Sequence, residues 1–283
     1  MEAGVPSADR VKEQQTKHWN LVAPGWAAWL EWIEWNFAPV TDWLRRAACW
    51  EPGTHVLDVG CGAGYPALTA AMSVQPGGRV VAADISPTMI AVASRHAAAR
   101  RLDNIDFVEM DAEHLPLEDT SFDAVTNAYG LMFCPDPLAA LREAHRVLKP
   151  GGRCALVTWD VPAKSPYFSL ITGVAATFLS MRPPNPSEPG PFRLSASRDL
   201  ESMLQSSGFS DVHVDSCAMT VECASAAEYC QIFSDVAWKA RLAGLSDADA
   251  GRFREAVAEA AKPFVDGGRL RLVATSLCAS GRK

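Results

Sequence analysis

The chain has 283 residues, of which 48% are hydrophobic and 21% charged, enough for one large α/β domain with a cap or two small domains. Its net charge of −7, with no cluster of Lys and Arg, argues against a duplex-binding surface. Its eight cysteines contain no Cys-x-x-Cys pair, which argues against a zinc site or a disulfide framework.

Met1 to Lys17 is polar without a secretory apolar core, and no apolar run reaches membrane-spanning length, so a reduced, cytoplasmic setting is expected. Residues 1–10 read as a loose tail. Lys12 to Trp50 then holds seven of the nine tryptophans. Trp26, Trp29, Leu30, Ile33 and Phe37 recur at three- and four-residue steps, giving one helix an aromatic face. Pro24-Gly25 should precede that helix and Pro39 follow it, with a second short helix over Thr41 to Ala48. Residues 1–50 are thus expected to form a helical lid whose rings serve chiefly for docking, with part of the face left to cover an apolar ligand.

From Pro52 strands and helices alternate. Val56–Val59 is a strand, Ala67–Met72 a helix, and Arg79–Asp84 a strand ending in an acid. Ser86-Pro87 starts a helix that runs to Arg101, with Ser as cap and Pro in the first turn. Ile105–Met110 and Phe122–Asn127 are the next strands. Asp136-Pro137 opens a helix to Leu148, closed by Lys149-Pro150-Gly151-Gly152, and Arg153–Trp159 is the fifth strand. This alternation predicts a doubly wound, mostly parallel sheet over residues 51–160. Beyond Asp160 the pattern gives a helix at Tyr167–Met181, a proline-rich loop at Arg182–Pro191 and a helix at Ser197–Ser207. A strand follows at Val212–Val221, then helices at Ala226–Ala243 and Asp247–Ala261, and a last strand at Leu270–Leu277. Residues 161–283 would complete a seven-stranded sheet and add a helical cap before its last strand, within a single structural domain.

The organising stretch is Thr54-His55-Val56-Leu57-Asp58-Val59-Gly60-Cys61-Gly62-Ala63-Gly64-Tyr65-Pro66. Glycines at alternate positions tolerate positive φ and let a ligand touch bare backbone, while Pro66 suits a helix start. In an open parallel sheet ligands bind at the carboxyl ends of strands near the reversal of strand order. Four such ends carry suitable groups: Asp58 with Gly60, Cys61, Gly62 and Gly64; Asp84-Ile85; Asp111-Ala112; and Asn127. A carboxylate about 20 residues past a glycine turn is placed to accept from both hydroxyls of a ribose, which assigns Asp84. Ile85 and Met89 would pack on an adenine face, Asp111 and the Ala112 backbone would reach its polar edge, and Asp58 would hold an ammonium group directly or through water. Each signal alone is weak; the four strand ends together form a coherent nucleoside site.

These residues also carry a resemblance. Val-Leu-Asp-Val-Gly-Cys-Gly-Ala-Gly, Asp84, Asp111-Ala112, Phe122-Asp123-Ala124-Val125 and Arg146-Val147-Leu148-Lys149-Pro150-Gly151-Gly152 resemble the class I S-adenosylmethionine-dependent methyltransferases. The Gly-Tyr-Pro-Ala-Leu continuation and Gly130-Leu131-Met132-Phe133 are similar to the branch of quinone-biosynthesis C-methyltransferases and natural-product methyltransferases. The likeness covers about residues 52–160. It implies a Rossmann-like fold and S-adenosyl-L-methionine as cofactor, with S-adenosyl-L-homocysteine as product. It puts Gly60–Gly64 at the methionine part, Asp84 at the ribose, Asp111-Ala112 at the adenine and Asn127 near the sulfonium. A dinucleotide oxidoreductase fits less well, because Tyr65 stands where its third glycine belongs and Pro66 lacks an N–H for a phosphate.

His18, Trp19, Trp26, Tyr129, Met132 and Phe133 are the residues expected to face the acceptor, an apolar or aromatic small molecule methylated on oxygen or carbon. His18 and Tyr129 are weighed as bases, and no catalytic residue is assigned. No metal, nucleic acid or membrane is expected as partner, and the chain would act as a monomer or homodimer. Alternatives are a cofactor-binding scaffold or cyclase without methyl transfer, and an arsenite methyltransferase, which needs cysteines such as Cys134, Cys217, Cys223 and Cys230 to converge.

Overall fold

A computed structural model describes residues 7–179 and 188–283. Part of the expected N-terminal tail, and residues 182–187 of the proline-rich loop, lie outside them. The sheet is built from β1 (His55–Val59), β2 (Arg79–Asp84), β3 (Ile105–Glu109), β4 (Phe122–Ala128), β5 (Leu148–Trp159), β6 (Ser210–Cys223), β7 (Val265–Asp266) and β8 (Arg269–Arg282). Its order is β3-β2-β1-β4-β5-β8-β6, with β7 a two-residue hairpin partner of β8. The first five strands run parallel, and β8 is antiparallel to both β5 and β6. Seven strands follow the expected plan; the turn at Gly267-Gly268, both at positive φ, adds the eighth.

The helices on the sheet begin where capping chemistry dictates. Ser86 Oγ accepts from the Met89 N–H (3.1 Å) at the start of α5 (Pro87–Ala99), after α4 (Ala67–Ser73). Asp136 Oδ1 accepts from the Ala139 N–H (3.0 Å) at the start of α6 (Pro137–Val147). Val56, Leu57, Val80, Ala82, Ala124, Val125 and Leu156 form the buried centre of the sheet. Later come α7 (Pro166–Phe178) and α8 (Ser197–Ser206). Between β6 and β8 stand α9 (Ala226–Phe233), α10 (Lys239–Leu242) and α11 (Asp247–Ala261).

Three local expectations change. The N-terminal segment expected as a lid is three helices, α1 (Ala8–Ala28), α2 (Leu30–Asn36) and α3 (Ala38–Ala47), and α1 runs through Pro24-Gly25. Ser7 caps it, so the loose tail is shorter than the composition suggests. Gly25 serves packing rather than termination: a Cβ there would stand 2.2 Å from the Asp235 carbonyl oxygen. Second, Pro150-Gly151-Gly152 lies within β5, because Gly151 N–H donates to Lys283 O and Lys283 N–H to Gly152 O (3.0 Å each). Third, Ala226–Ala243 is interrupted by a π-helical turn at Ser234–Trp238, the segment on which α1 docks.

The lid tryptophans use both body and N–H. Trp26 Nε1 donates to Val236 O (2.9 Å), Trp29 Nε1 to Asp235 Oδ2 (2.9 Å) and Trp32 Nε1 to Glu222 O (3.0 Å). A buried indole needs such a partner, so these bonds fix the helices on the cap and on β6. Arg100 also holds Glu34 bidentately at 2.6 and 2.7 Å. Trp35 is the exception among the rings and stays 78% exposed.

Candidate active site

The site lies where the strand order reverses, between β1 and β4. As β1 ends, the N–H groups of Gly60 and Cys61 both donate to Ala83 O (2.7 and 3.0 Å), pinning the turn to β2. Gly60 (φ 75°) and Gly62 (φ 52°) take the left-handed conformation that favours glycine. A Cβ on Gly60 would meet Asn127 Nδ2 at 3.5 Å, whereas one on Gly62 would enter open space. Asp84 Oδ2 accepts from the Gly62 N–H (2.9 Å) and Oδ1 from the Ser86 N–H (2.8 Å), so this carboxylate also shapes the turn. Burial pushes its pKa up against the pull of these backbone N–H groups.

Around the turn is a continuous cavity of about 1810 Å³. Gly60, Cys61, Gly62, Asp84, Ile85, Met89, Asp111, Ala112 and Asn127 all line it, as do His18, Trp19, Trp26, Tyr129, Met132 and Phe133. Two expected site residues do not. Gly64 (φ 113°) packs against α4, where a Cβ would stand 2.8 Å from Leu68. Asp58 is fully buried behind the wall, its Oδ1 accepting from Thr126 Oγ1 (2.6 Å). A direct salt link from Asp58 to a ligand is therefore not what this strand end offers. Its Oδ2 has no partner among the described residues. Desolvation, with Asp84 adding a like charge, pushes its pKa up to about 7, and the Thr126 bond opposes this only in part.

At one end of the cavity Asp111 Oδ1 accepts from the Glu113 N–H (2.9 Å), while its Oδ2 takes Lys12 Nζ from the lid (2.6 Å). Lys12, Gln15 and Glu113 complete this end. Nothing in their sequence spacing marked them, because the lid's register on the core is set by tertiary contacts.

Beside the glycine turn Asn127 makes three hydrogen bonds. Its Nδ2 donates to Val59 O (2.8 Å), and its Oδ1 accepts from the N–H groups of Gly130 (3.0 Å) and Leu131 (2.8 Å). Tyr129 sits at φ 61°, stacks on Trp159 with ring centres 4.2 Å apart, and shares a 2.8 Å hydrogen bond with Ser276. Burial drives its phenol pKa far above the ordinary value.

Residues 57–156 match the methyltransferase domain family model. The demethylmenaquinone methyltransferase of Staphylococcus aureus is 34% identical over 173 residues, spanning 58% of this chain and 71% of the relative. The chain belongs to the class I S-adenosylmethionine-dependent methyltransferases. Solved structures share the methyltransferase's fold. The YcgJ protein of Bacillus subtilis superposes with a TM-score of 0.56 at 20% identity, covering 87% of this chain and 98% of that one. Phosphoethanolamine N-methyltransferase 2 of Haemonchus contortus, solved with S-adenosylhomocysteine, gives 0.56 at 18% identity, over 97% and 60%. The [4+2]-cyclase SpnF gives 0.53 at 24% identity, over 86% and 79%.

The cleft of the methyltransferase suits this family's cofactor on its own geometry. Gly62 leaves room that any side chain would fill, Asp84 keeps lone pairs beyond its two backbone bonds, and Asp111 and Ala112 border the far end. The remainder of the methyltransferase's cavity is aromatic. Phe37 makes edge contacts with Tyr65, Tyr129 and Trp159, and Trp159 meets Phe168, which touches Phe192 and Phe233. The cap residues Phe168, Phe192, Phe233 and Trp238 were not singled out by sequence, since their spacing shows no shared period. Trp19 contacts Phe133 and Trp26 edge-on, with ring centres 5.0 and 6.4 Å apart. His18 adjoins Trp19, and burial, with Arg241 nearby, lowers its pKa. Of the cysteines weighed for arsenite, only Cys134 lines the cavity, and among the described residues no three His, Cys, Asp or Glu side chains gather as a metal site.

Proposed function

We propose that this methyltransferase acts on an apolar, aromatic small molecule, with oxygen or carbon as the methylated atom. The observation that carries the reading is the aromatic sleeve from Trp19 to Trp238, continuous with the glycine turn. Three polar groups on its wall are turned into the protein. Asn127 is spent on Val59, Gly130 and Leu131, Tyr129 on Ser276, and Tyr65 on Thr41 and Phe37. Such a wall rewards burial of a flat, weakly polar body and penalises a sugar phosphate or a peptide. Likeness to demethylmenaquinone methyltransferase supports a quinol-like acceptor.

In this reading Gly60, Cys61 and Gly62 border the methionine part and Asp84 accepts from the ribose. Ile85 and Met89 flank the adenine, Asp111 and Ala112 meet its edge, and Asn127 closes the wall at the reactive end. His18, Trp19, Trp26, Tyr129, Met132 and Phe133 face the acceptor. Residues 1–50 act as lid, 51–160 as cofactor core and 161–283 as the remainder of the sheet plus the cap. Bound S-adenosyl-L-methionine supplies an electrophilic methyl group for in-line displacement. The chain's own contribution is alignment and exclusion of water, and alignment alone is worth ~7–11 kcal/mol. Tyr129 is held protonated and takes no proton at neutral pH. His18, neutral there, borders the sleeve as a proton acceptor for a phenol or enol. No helix among the described residues is long and apolar enough to cross a membrane, and the cytoplasmic setting belongs to the proposal.

Labelled methyl donor offered with hydroxylated naphthalenes, phenols, phosphoethanolamine, tRNA and protein tests the reading. Label on the aromatic acceptors supports it. Label confined to the amine, nucleic acid or protein overturns it, and label that never leaves the donor points to a binder or cyclase.

A further inference from the structure

Helix α1 closes the cleft along a single stripe. Lys12, Gln15, Trp19 and Trp26, spaced by three, four and seven residues, all line the cavity, so docking one rigid face walls the cleft along α1. The stripe is fastened at three places. At its end Trp26 Nε1 donates to Val236 O (2.9 Å). At its middle Asn20 Oδ1 accepts from Ser86 Oγ (2.7 Å), beside Asp84. At its start Lys12 Nζ stands 2.6 Å from both Asp111 Oδ2 and Glu113 Oε2. Glu113 is held from below, its Oε1 accepting from the Asp136 N–H (2.7 Å), and its side chain is only 8% exposed. The cluster is partly desolvated on both sides, which strengthens it over an exposed pair. The paired carboxylates push the Lys12 pKa up, outweighing its desolvation.

Resting on the cofactor reading above, we propose that Lys12 is a latch that couples lid docking to retention of the cofactor. Asp111 is shared, with the lid ammonium on one oxygen and the adenine edge beside it. The adenosine end is enclosed only while Lys12 spans Asp111 and Glu113, and S-adenosylhomocysteine leaves after that cluster has opened. Of the three fastenings along α1, the Lys12 cluster is the charged one, so the release rate is the salt-sensitive property of the site. Lys12 is a positioning residue; it touches no reacting atom.

The test is the dissociation rate of S-adenosylhomocysteine, followed by stopped-flow tryptophan fluorescence with calorimetry for affinity. Lys12→Met keeps the aliphatic stem and removes the charge. The release rate is expected to rise roughly 10-fold or more, the scale of a charge-assisted contact, while the melting temperature without ligand stays near that of the wild type. Raising salt from about 0.05 to about 0.5 M is expected to speed wild-type release and leave the Lys12→Met rate nearly unchanged. Glu113→Gln, on the core side of the same cluster, should reproduce the faster release if Lys12→Met folds poorly. Wild-type release rates in both variants overturn the latch. A wild-type chain that binds no S-adenosylhomocysteine overturns the cofactor reading, and the latch with it.

Discussion

Gly25 and Asp235, 210 positions apart in the chain, meet so closely that a β-carbon on the glycine would stand 2.2 Å from the aspartate carbonyl oxygen. Helix propensity alone predicts that Gly25→Ala stabilises α1 by about 1 kcal/mol. The contact predicts the opposite, because the obstacle is backbone and cannot rotate aside, and overpacking of this kind costs ~1–3 kcal/mol. We expect a lower melting temperature and weaker S-adenosylhomocysteine binding. A melting temperature at or above wild type would show that α1 does not need this approach to the π-helical turn.

Asp84 holds Gly62 and Ser86 before any ligand arrives. Asp84→Ala should weaken S-adenosylhomocysteine binding by ~1.5–3 kcal/mol, the scale of hydrogen bonds to a charged group. Asp84→Asn retains an acceptor and should fall between the two. Unchanged affinity of the alanine variant in a calorimetric titration would remove Asp84 from the site.

Asp58 makes stability fall as pH rises. Its folded pKa of about 7 lies above its ordinary value of 3.8, so between these values the folded state binds more protons than the unfolded one. The resulting penalty is absent below pH 4, grows through the window and is complete above pH 7, reaching on the order of 4 kcal/mol. Asp58→Asn keeps an oxygen for Thr126 and cannot ionise. Its unfolding free energy, measured by denaturant titration from pH 5 to 8, should gain on the wild type as pH rises. A constant difference across that range would refute the assignment.

Tyr129→Phe removes the hydroxyl that meets Ser276 and keeps the ring on Trp159. A loss of about 1 kcal/mol of stability is expected, with methyl transfer within about threefold of wild type and an unaltered pH profile. A drop of roughly 100-fold at unchanged folding would put the phenol into the chemistry.

That Gly60, Gly62, Asp84 and Asp111 would border one cleft was legible because the information is local. Asp84 ends the apolar run Val80-Val81-Ala82-Ala83, Ser86-Pro87 opens a helix by its own side chain, and Gly60 and Gly62 declare positive φ by residue type. Three wrong readings had one cause in common. Gly25 looked like a breaker, Gly64 like a ligand contact and Pro150-Gly151-Gly152 like a turn, yet Asp235, Leu68 and Lys283 decide their roles from elsewhere in the chain. The aromatic wall of the cavity was hardest to read. Phe168, Phe192, Phe233 and Trp238 come from separate cap segments with no common period, and only packing brings them together. Asp58 shows the limit of strand-end logic: the right residue type at the right place faces Thr126 instead of the cleft.

The bond from Trp26 to Val236 spans 210 residues, and it has a consequence for synthesis. The N-terminal helices emerge from the ribosome well before their docking surface on the cap and β6 is made. Until then Trp26, Trp29 and Trp32 lack the acceptors of their N–H groups, and these rings are exposed to aggregation or capture by chaperones. The nascent core, residues 55–159, can hold α1 through Lys12 and Asn20, but the cavity closes only once the cap residues Phe168, Phe192, Phe233 and Trp238 have been made.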